Sequence, residues 1–142
     1  MPKISIIVPV YNAERAIERC AKSLMGQTLQ DVEIIFVDDC STDGSFAIIT
    51  QLTKDDNRCV MLHNKVNMGC PSSRKVGLKA ATGDYIIACD ADDWVEPDFC
   101  ETLYNQVGGQ ILLGVIFTKI TALDGKLSGN FLMIIVCLLM MR

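Results

Sequence analysis

The chain has no Cys-x-x-Cys pair, no basic tract, and no apolar stretch near the roughly 20 residues that span a bilayer. Aromatic residues make up only 6% of it, with one tryptophan, and there is a single histidine. Each scarcity excludes something. Without paired metal-ligand spacing, the seven cysteines at 20, 40, 59, 70, 89, 100 and 137 do not read as a zinc site. Their odd number and mostly apolar neighbours point to reduced thiols in a cytoplasmic protein instead of a disulfide framework. With 13 basic residues against 17 acidic ones and a formal charge of -4, nucleic acid and anionic membrane are excluded as main partners. The five apolar residues Ile4 to Val8 after Met1-Pro2-Lys3 are too few for the h-region of a signal peptide. The longest apolar run, the eleven residues Phe131 to Met141, gives no spanning segment but leaves peripheral contact with a membrane face open.

What is present is globular. Half of the 142 residues are hydrophobic and 21% are charged, which suits one domain burying about two-thirds of its unfolded surface. Apolar strand patterns at 3–8, 32–37, 60–62 and 85–89 alternate with helical patterns. Ile17, Cys20, Ala21 and Leu24 form one helical face, with Asn12 expected as its N-cap and Glu14 in its first turn. Ser41-Thr42-Asp43-Gly44 is expected to cap a helix carrying Phe46, Ile49 and Leu52. Pro71 opens a third helix that Gly83 is expected to close. Strands apolar throughout and separated by helices predict an α/β fold, a mostly parallel sheet covered on both faces.

In such sheets ligands bind beyond the carboxyl ends of the strands, and there the acids gather. The second strand runs into Asp38-Asp39 and the fourth into Asp90-Ala91-Asp92-Asp93. Isolated Asp-rich loops are often only solvated turns. Two clusters, each directly after a buried strand, favour a site. Converging carboxylates repel, and a hard cation relieves the repulsion, so Mg²⁺ or Mn²⁺ held with a substrate diphosphate is the chemistry expected.

Five blocks carry a family resemblance. They are Ile6-Ile7-Val8-Pro9-Val10-Tyr11-Asn12, the run from Glu33 through Asp38-Asp39 to Ser45, Asn67-Met68-Gly69 with Ser73-Arg74, the run Ala80 to Ile86, and Asp90-Ala91-Asp92-Asp93-Trp94 before Glu96-Pro97-Asp98. In this order and spacing they resemble the donor-binding half of family 2 glycosyltransferases over residues 3–105. The resemblance implies the GT-A fold, a Rossmann-like mostly parallel sheet. It also implies an inverting, metal-assisted transfer of sugar from a nucleotide-diphosphate sugar, most often a UDP-sugar. The acceptor would be a polysaccharide, lipid or protein, as in cell-wall or capsule synthesis at the inner face of the membrane.

By the same resemblance, Pro9 and Tyr11 line the nucleobase pocket and Asp39 accepts a hydrogen bond from the base. Asn67 and Arg74 bind the donor, with Arg74 on the diphosphate. Asp90 lies near the ribose or the metal's water shell, and Asp92 or Asp93 ligates Mn²⁺ or Mg²⁺ in the Asp-x-Asp element. Cys40 stands where the family usually has glycine. His63 shows no partner in the sequence and reads as structural.

The family's catalytic base is an acid beyond the Asp-x-Asp element. Residues 106–142 offer only Asp124, in a turn-like Leu123-Asp124-Gly125-Lys126, and we leave the base unassigned. The expected organisation is therefore a nucleotide-sugar-binding region at 1–105 and an atypical apolar tail at 106–142, a GT-A domain with its C-terminal half incomplete. Alternatives are a catalytically incomplete nucleotide-sugar-binding fragment or a phosphoryl-transfer receiver domain. The latter needs its acidic pair after the first strand, where this chain has Pro9-Val10-Tyr11-Asn12.

Overall fold

The computed structural model describes residues 1–107 together with 116–117 and 134–135. Strands β1 (Ile4–Val10), β2 (Val32–Asp38), β3 (Cys59–His63) and β4 (Tyr85–Ala88) form one parallel sheet in the order β3-β2-β1-β4. Helices α1 (Ile17–Met25), α2 (Ser45–Thr53) and α3 (Cys70–Ala80) make the crossovers, and α4 (Phe99–Val107) follows β4. The short strands β5 (Ile116–Phe117) and β6 (Ile134–Ile135) pair antiparallel. Most of the expected apolar tail lies outside the described residues.

Side chains alternate across a strand, and both faces of this sheet are used. Ile4, Ile6, Val8 and Val10 of β1 join Val32, Ile34 and Phe36 of β2 in a core with Ile17, Cys20, Ala21 and Leu24 of α1 and Ile49 of α2. Phe36, Ile34 and Val8 are wholly buried, each contributing about 1.5–3 kcal/mol by leaving water. The opposite face receives α3. Gly77 lets that helix approach so closely that a Cβ there would lie 2.5 Å from Ile7 Cγ2 and 3.2 Å from Val37 Cγ2.

Strand order places a switch point beside β1, because the chain moves from β1 to β2 and β3 on one side and then returns to β4 on the other. Pro9 widens it. The Cys89 N–H donates to the Ile7 carbonyl at 3.0 Å, and the next rung in a parallel ladder would need an N–H on residue 9, which proline lacks. The chain after β4 is thereby free to leave the sheet just where the acidic segment begins.

Several local expectations are corrected. Asn12 caps no helix: its φ is +49°, and its Oδ1 accepts from the Thr42 N–H at 2.8 Å. Glu14 likewise serves the neighbouring loop, its Oε2 accepting from the Gly44 N–H at 2.9 Å. Gly83 is not a helix terminator but a close-approach residue, donating its N–H to Ser5 Oγ at 2.8 Å, where a Cβ would meet the Ser5 nitrogen at 2.7 Å. Phe46 is 39% exposed and sets its ring edge-on to His63 instead of joining the core.

Candidate functional site

The C-terminal ends of β1, β2 and β4 converge. On the β2 side, Asp38 and Asp39 diverge because successive residues face opposite ways. Asp38 is fully buried, and its Oδ2 accepts from the Ser41 N–H at 3.2 Å and lies 2.9 Å from His63 Nδ1. The absence of a partner expected for His63 is thus overturned: strand register sets Asp38 opposite His63, a pairing that no local pattern reveals. Among the described residues Asp38 Oδ1, which is buried, has no hydrogen-bond partner.

Asp39 turns to the α3 side and is 2% exposed. Its Oδ1 accepts from Asn64 Nδ2 at 2.8 Å and from the Met68 N–H at 3.0 Å, and its Oδ2 accepts from the Gly69 N–H at 2.7 Å. Burial pushes the carboxyl's pKa up, but donation from Met68, Asn64, Ser73 and Gly69 outweighs it and holds the group below the usual aspartate range. One carboxylate therefore gathers the end of β2, the loop 64–69 and the start of α3. That loop carries Asn67, exposed, whose Oδ1 accepts from the Gly69 N–H at 3.1 Å. Cys40, next along, has φ +61°, the left-handed backbone for which glycine is suited.

On the β4 side, the segment after Ala88 is braced by α1. Gln27, 1% exposed, donates to the Glu96 carbonyl at 2.8 Å and accepts from the Cys100 N–H at 2.8 Å. Arg19 donates to the Asp92 carbonyl at 3.3 Å and sits over the Trp94 ring, 5.8 Å from its centroid. Cys20 Sγ lies 3.6 Å from the Asp90 carbonyl, and hydrogen bonding with Cys89, followed by burial, pushes the pKa of this thiol up. Asp92 is exposed and Asp93 half-buried. Burial, then the charges of Asp92 and Asp90, raise the pKa of Asp93, against a smaller opposing pull from Arg19.

Between the two sides, Arg74 of α3 reaches Asp90, Nη2 to Oδ1 at 2.5 Å, and its buried Nε has no partner among the described residues. Tyr11 stands at the end of β1, half-exposed, and Pro9 is buried in the strand opposite Val37. The structure thus brings Tyr11, Asp39, Asn67, Arg74, Asp90, Asp92 and Asp93 to one edge. Asn64, Arg19 and Gln27 were missed by sequence reasoning, since each acts through partners 25 to 73 residues away.

The donor set fits a hard cation. Asp90, Asp92 and Asp93 supply carboxylate oxygens, and the charges of Asp92 and Asp90 add to burial in raising the pKa of Asp93. Among the described residues no three His, Cys, Asp or Glu side chains converge as a complete ligand cluster. A cation here would rest on one or two carboxylates plus substrate oxygens, as Mg²⁺ usually does.

Comparison with known proteins bears on this edge. The profile of Glycosyl transferase family 2 matches residues 5–121, past the Asn105 boundary expected above. Glycosyltransferase GlyG of Streptococcus pneumoniae is 40% identical over 104 residues, covering 73% of this chain and 35% of that protein. The poly(ribitol-phosphate) beta-glucosyltransferase of Bacillus spizizenii is 42% identical over 106 residues, 72% of this chain and 17% of its own length. Among solved structures, S. aureus TarS 1–349 in complex with UDP superimposes with a TM-score of 0.68 at 31% identity, over 72% of this chain and 31% of that one. The mannosyltransferase PcManGT of Pyrobaculum calidifontis, in complex with GDP-Man and Mn²⁺, gives 0.65 at 25% identity, over 73% and 31%. The chain spans about a third or less of each of these proteins, and its α/β fold is GT-A-like.

Proposed function

The chain belongs to glycosyl transferase family 2, and we propose that it holds a nucleotide-diphosphate sugar, a UDP-sugar, at the switch-point edge between β1 and β4. The observation that carries this reading is the ion pair of Arg74 with Asp90, the first acid of the segment that also carries Asp92 and Asp93, beside the end of β1. A guanidinium and an acidic loop at one crevice provide for a diphosphate and the cation that accompanies it.

In this reading Tyr11 packs against the base, and Asp39 accepts a hydrogen bond from it. Pro9, being buried, shapes the pocket by opening the sheet. Asn67 and Arg74 bind the donor, with Arg74 on the diphosphate. Asp90 faces the ribose or the cation's waters, and Asp92, with Asp93 beside it, would hold Mn²⁺ or Mg²⁺. Such a cation, when bound, supplies stabilisation of negative charge on the departing nucleoside diphosphate. The region at 1–105 is the donor-binding part. Transfer with inversion to a polysaccharide, lipid or protein acceptor in cell-surface synthesis is proposed for the whole enzyme, at the cytoplasmic side, where thiols such as Cys20 and Cys89 stay reduced.

The size difference from the relatives favours a second reading for these 142 residues taken alone: donor binding without transfer. Calorimetric titration of UDP with and without Mn²⁺, beside Asp92→Asn, tests both. Metal-dependent binding lost in the variant supports the donor site, and added sugar release from UDP-GlcNAc to an acceptor would exclude the binding-only reading. Absence of UDP binding to a folded chain would overturn the donor site.

A further inference from the structure

The Tyr11 ring is half-exposed, and among the described residues no side chain hydrogen-bonds its hydroxyl or stacks on it. Its direction is therefore set by the backbone on either side. Before it, the Val10 carbonyl accepts from the Asp39 N–H at 2.8 Å, so the strand end is fixed. After it, Asn12 turns the chain at φ +49°, a left-handed conformation that asparagine tolerates better than most residues. The loop between β2 and α2 holds that turn. The Asn12 N–H donates to Ser41 Oγ at 3.1 Å, which fixes the peptide joining Tyr11 to Asn12. Asn12 Oδ1 accepts from the Thr42 N–H at 2.8 Å and from the Thr42 hydroxyl at 3.2 Å. The next two N–H groups continue the contact, Ala13 donating to Ser45 Oγ at 2.8 Å and Glu14 to Asp43 Oδ2 at 3.1 Å. In return the Gly44 N–H donates to Glu14 Oε2 at 2.9 Å. Hydrogen bonds thus cross between the two loops in both directions, and the second loop is a template for the first.

We propose that Asn12 is a positioning residue for nucleotide binding, locking the β1–α1 loop onto the β2–α2 loop so that the Tyr11 ring is held ready for the base. The proposal rests on the reading of Tyr11 as the group that packs against the base. A half-exposed ring on a free loop would lose backbone and rotamer freedom when a ligand arrived, and that loss weakens binding. With the loop tied at Ser41 and Thr42, the ordering is completed on folding. Asn12 touches no ligand in this scheme. Its whole influence on binding passes through Tyr11, which separates a positioning role from a general loss of structure.

The test is a double-mutant cycle, with UDP and Mn²⁺ titrated into the full chain as wild type, Asn12→Gly, Tyr11→Ala and the double variant, folding being checked by circular dichroism. Glycine keeps the left-handed backbone accessible and removes only the side chain. Tyr11→Ala is expected to weaken UDP by about tenfold, the scale of one base–aromatic contact. Asn12→Gly should weaken it by about fivefold, the scale of one or two hydrogen bonds. In the Tyr11→Ala background the same change should add less than about twofold, because contacting residues are not additive. Asn12→Asp keeps the acceptor for Thr42 and should stay within about threefold of wild type. Ser41→Ala frees the Asn12 N–H and decides the matter should Asn12→Gly fail to fold; it should weaken UDP in the wild type and not in Tyr11→Ala. Equal weakening in both backgrounds would make Asn12 purely structural and overturn the proposal. Unchanged affinity in Asn12→Gly or in Tyr11→Ala would also overturn it, while leaving the donor site standing. Failure of the folded wild type to bind UDP at all would remove the donor reading and the proposal with it.

Discussion

Arg74 and Asp90 stand against each other across the crevice, Nη2 to Oδ1 at 2.5 Å, so the group proposed for the diphosphate and the group proposed for the ribose or the cation's waters engage one another. Both are 40–50% exposed, at 41% and 48%. A pair so exposed is worth at most about 1 kcal/mol, enough to compete with a ligand without excluding it.

Asp90→Asn removes that competitor. UDP binding measured calorimetrically without metal is expected to strengthen by up to about fivefold, the ceiling set by a surface ion pair. With Mn²⁺ present the gain should shrink, because the acidic loop has lost a charge. A metal-free affinity that is unchanged or weaker would show that Arg74 is not restrained by Asp90.

Cys40 pays a conformational penalty at φ +61°. A non-glycine residue held there costs on the order of 1–3 kcal/mol, and glycine gives back about 0.5–1 kcal/mol of that through its freer unfolded chain. Cys40→Gly should therefore raise stability by about 1 kcal/mol in a urea titration. Lower stability would mean that the Cys40 Sγ contact with the Lys65 carbonyl, at 3.8 Å, matters more than the backbone.

At Gly77 two effects oppose. Alanine is the better helix former by about 1 kcal/mol, but its Cβ would sit 2.5 Å from Ile7 Cγ2, a methyl fixed on the central strand. Overpacking of this kind costs about 1–3 kcal/mol. Gly77→Ala should lower the melting temperature, and a rise would show that α3 can slide outward freely.

Asp56 and Arg58 tie the turn before β3 to α1. Arg58 donates to both Asp56 oxygens and to the Met25 carbonyl at 2.7 Å. The hydrogen bonds from Arg58 hold the Asp56 carboxyl below the usual range in spite of burial. A carboxyl depressed on folding contributes stability above its unfolded pKa of about 3.9 and loses it as pH falls through the folded value. Asp56→Asn should thus cost about 1.5–3 kcal/mol near pH 7, and the gap to wild type should close below about pH 4. A gap that stays constant with pH, followed by thermal melts, would place the cost in packing and not in charge.

Much of the framework was legible because it is local. Continuous apolar runs gave all four strands, and the structure extends the first to Val10 and the second to Asp38 because their pairing continues through Pro9 with Val37 and Val10 with Asp38. The clustering of Asp39, Asp90, Asp92 and Asp93 at one edge followed from parallel topology alone. What escaped was pairing across distance. Asn12 looks like a helix cap in its own neighbourhood, yet its partner is Thr42. His63 finds Asp38 only through the register of β2 with β3. Gly83 reads as a helix stop until Ser5 is seen against it. Helix α4 was not anticipated at all, its start being fixed by Gln27, two residues beyond the end of α1.

The sheet order has a consequence for how the molecule comes to exist. β1 is made first, yet it lies between β2 and β4 and is flanked on both sides only after Ala88 has left the ribosome. Until then one edge of the most apolar strand is bare, and the crevice beside it has only one wall. Parallel pairing across such separations must close long loops before it is rewarded, which slows folding and prolongs exposure. The same arrangement that brings distant acids together makes the nascent chain dependent on its fourth strand, so a nascent chain halted before Tyr85 would present an adhesive edge and no site.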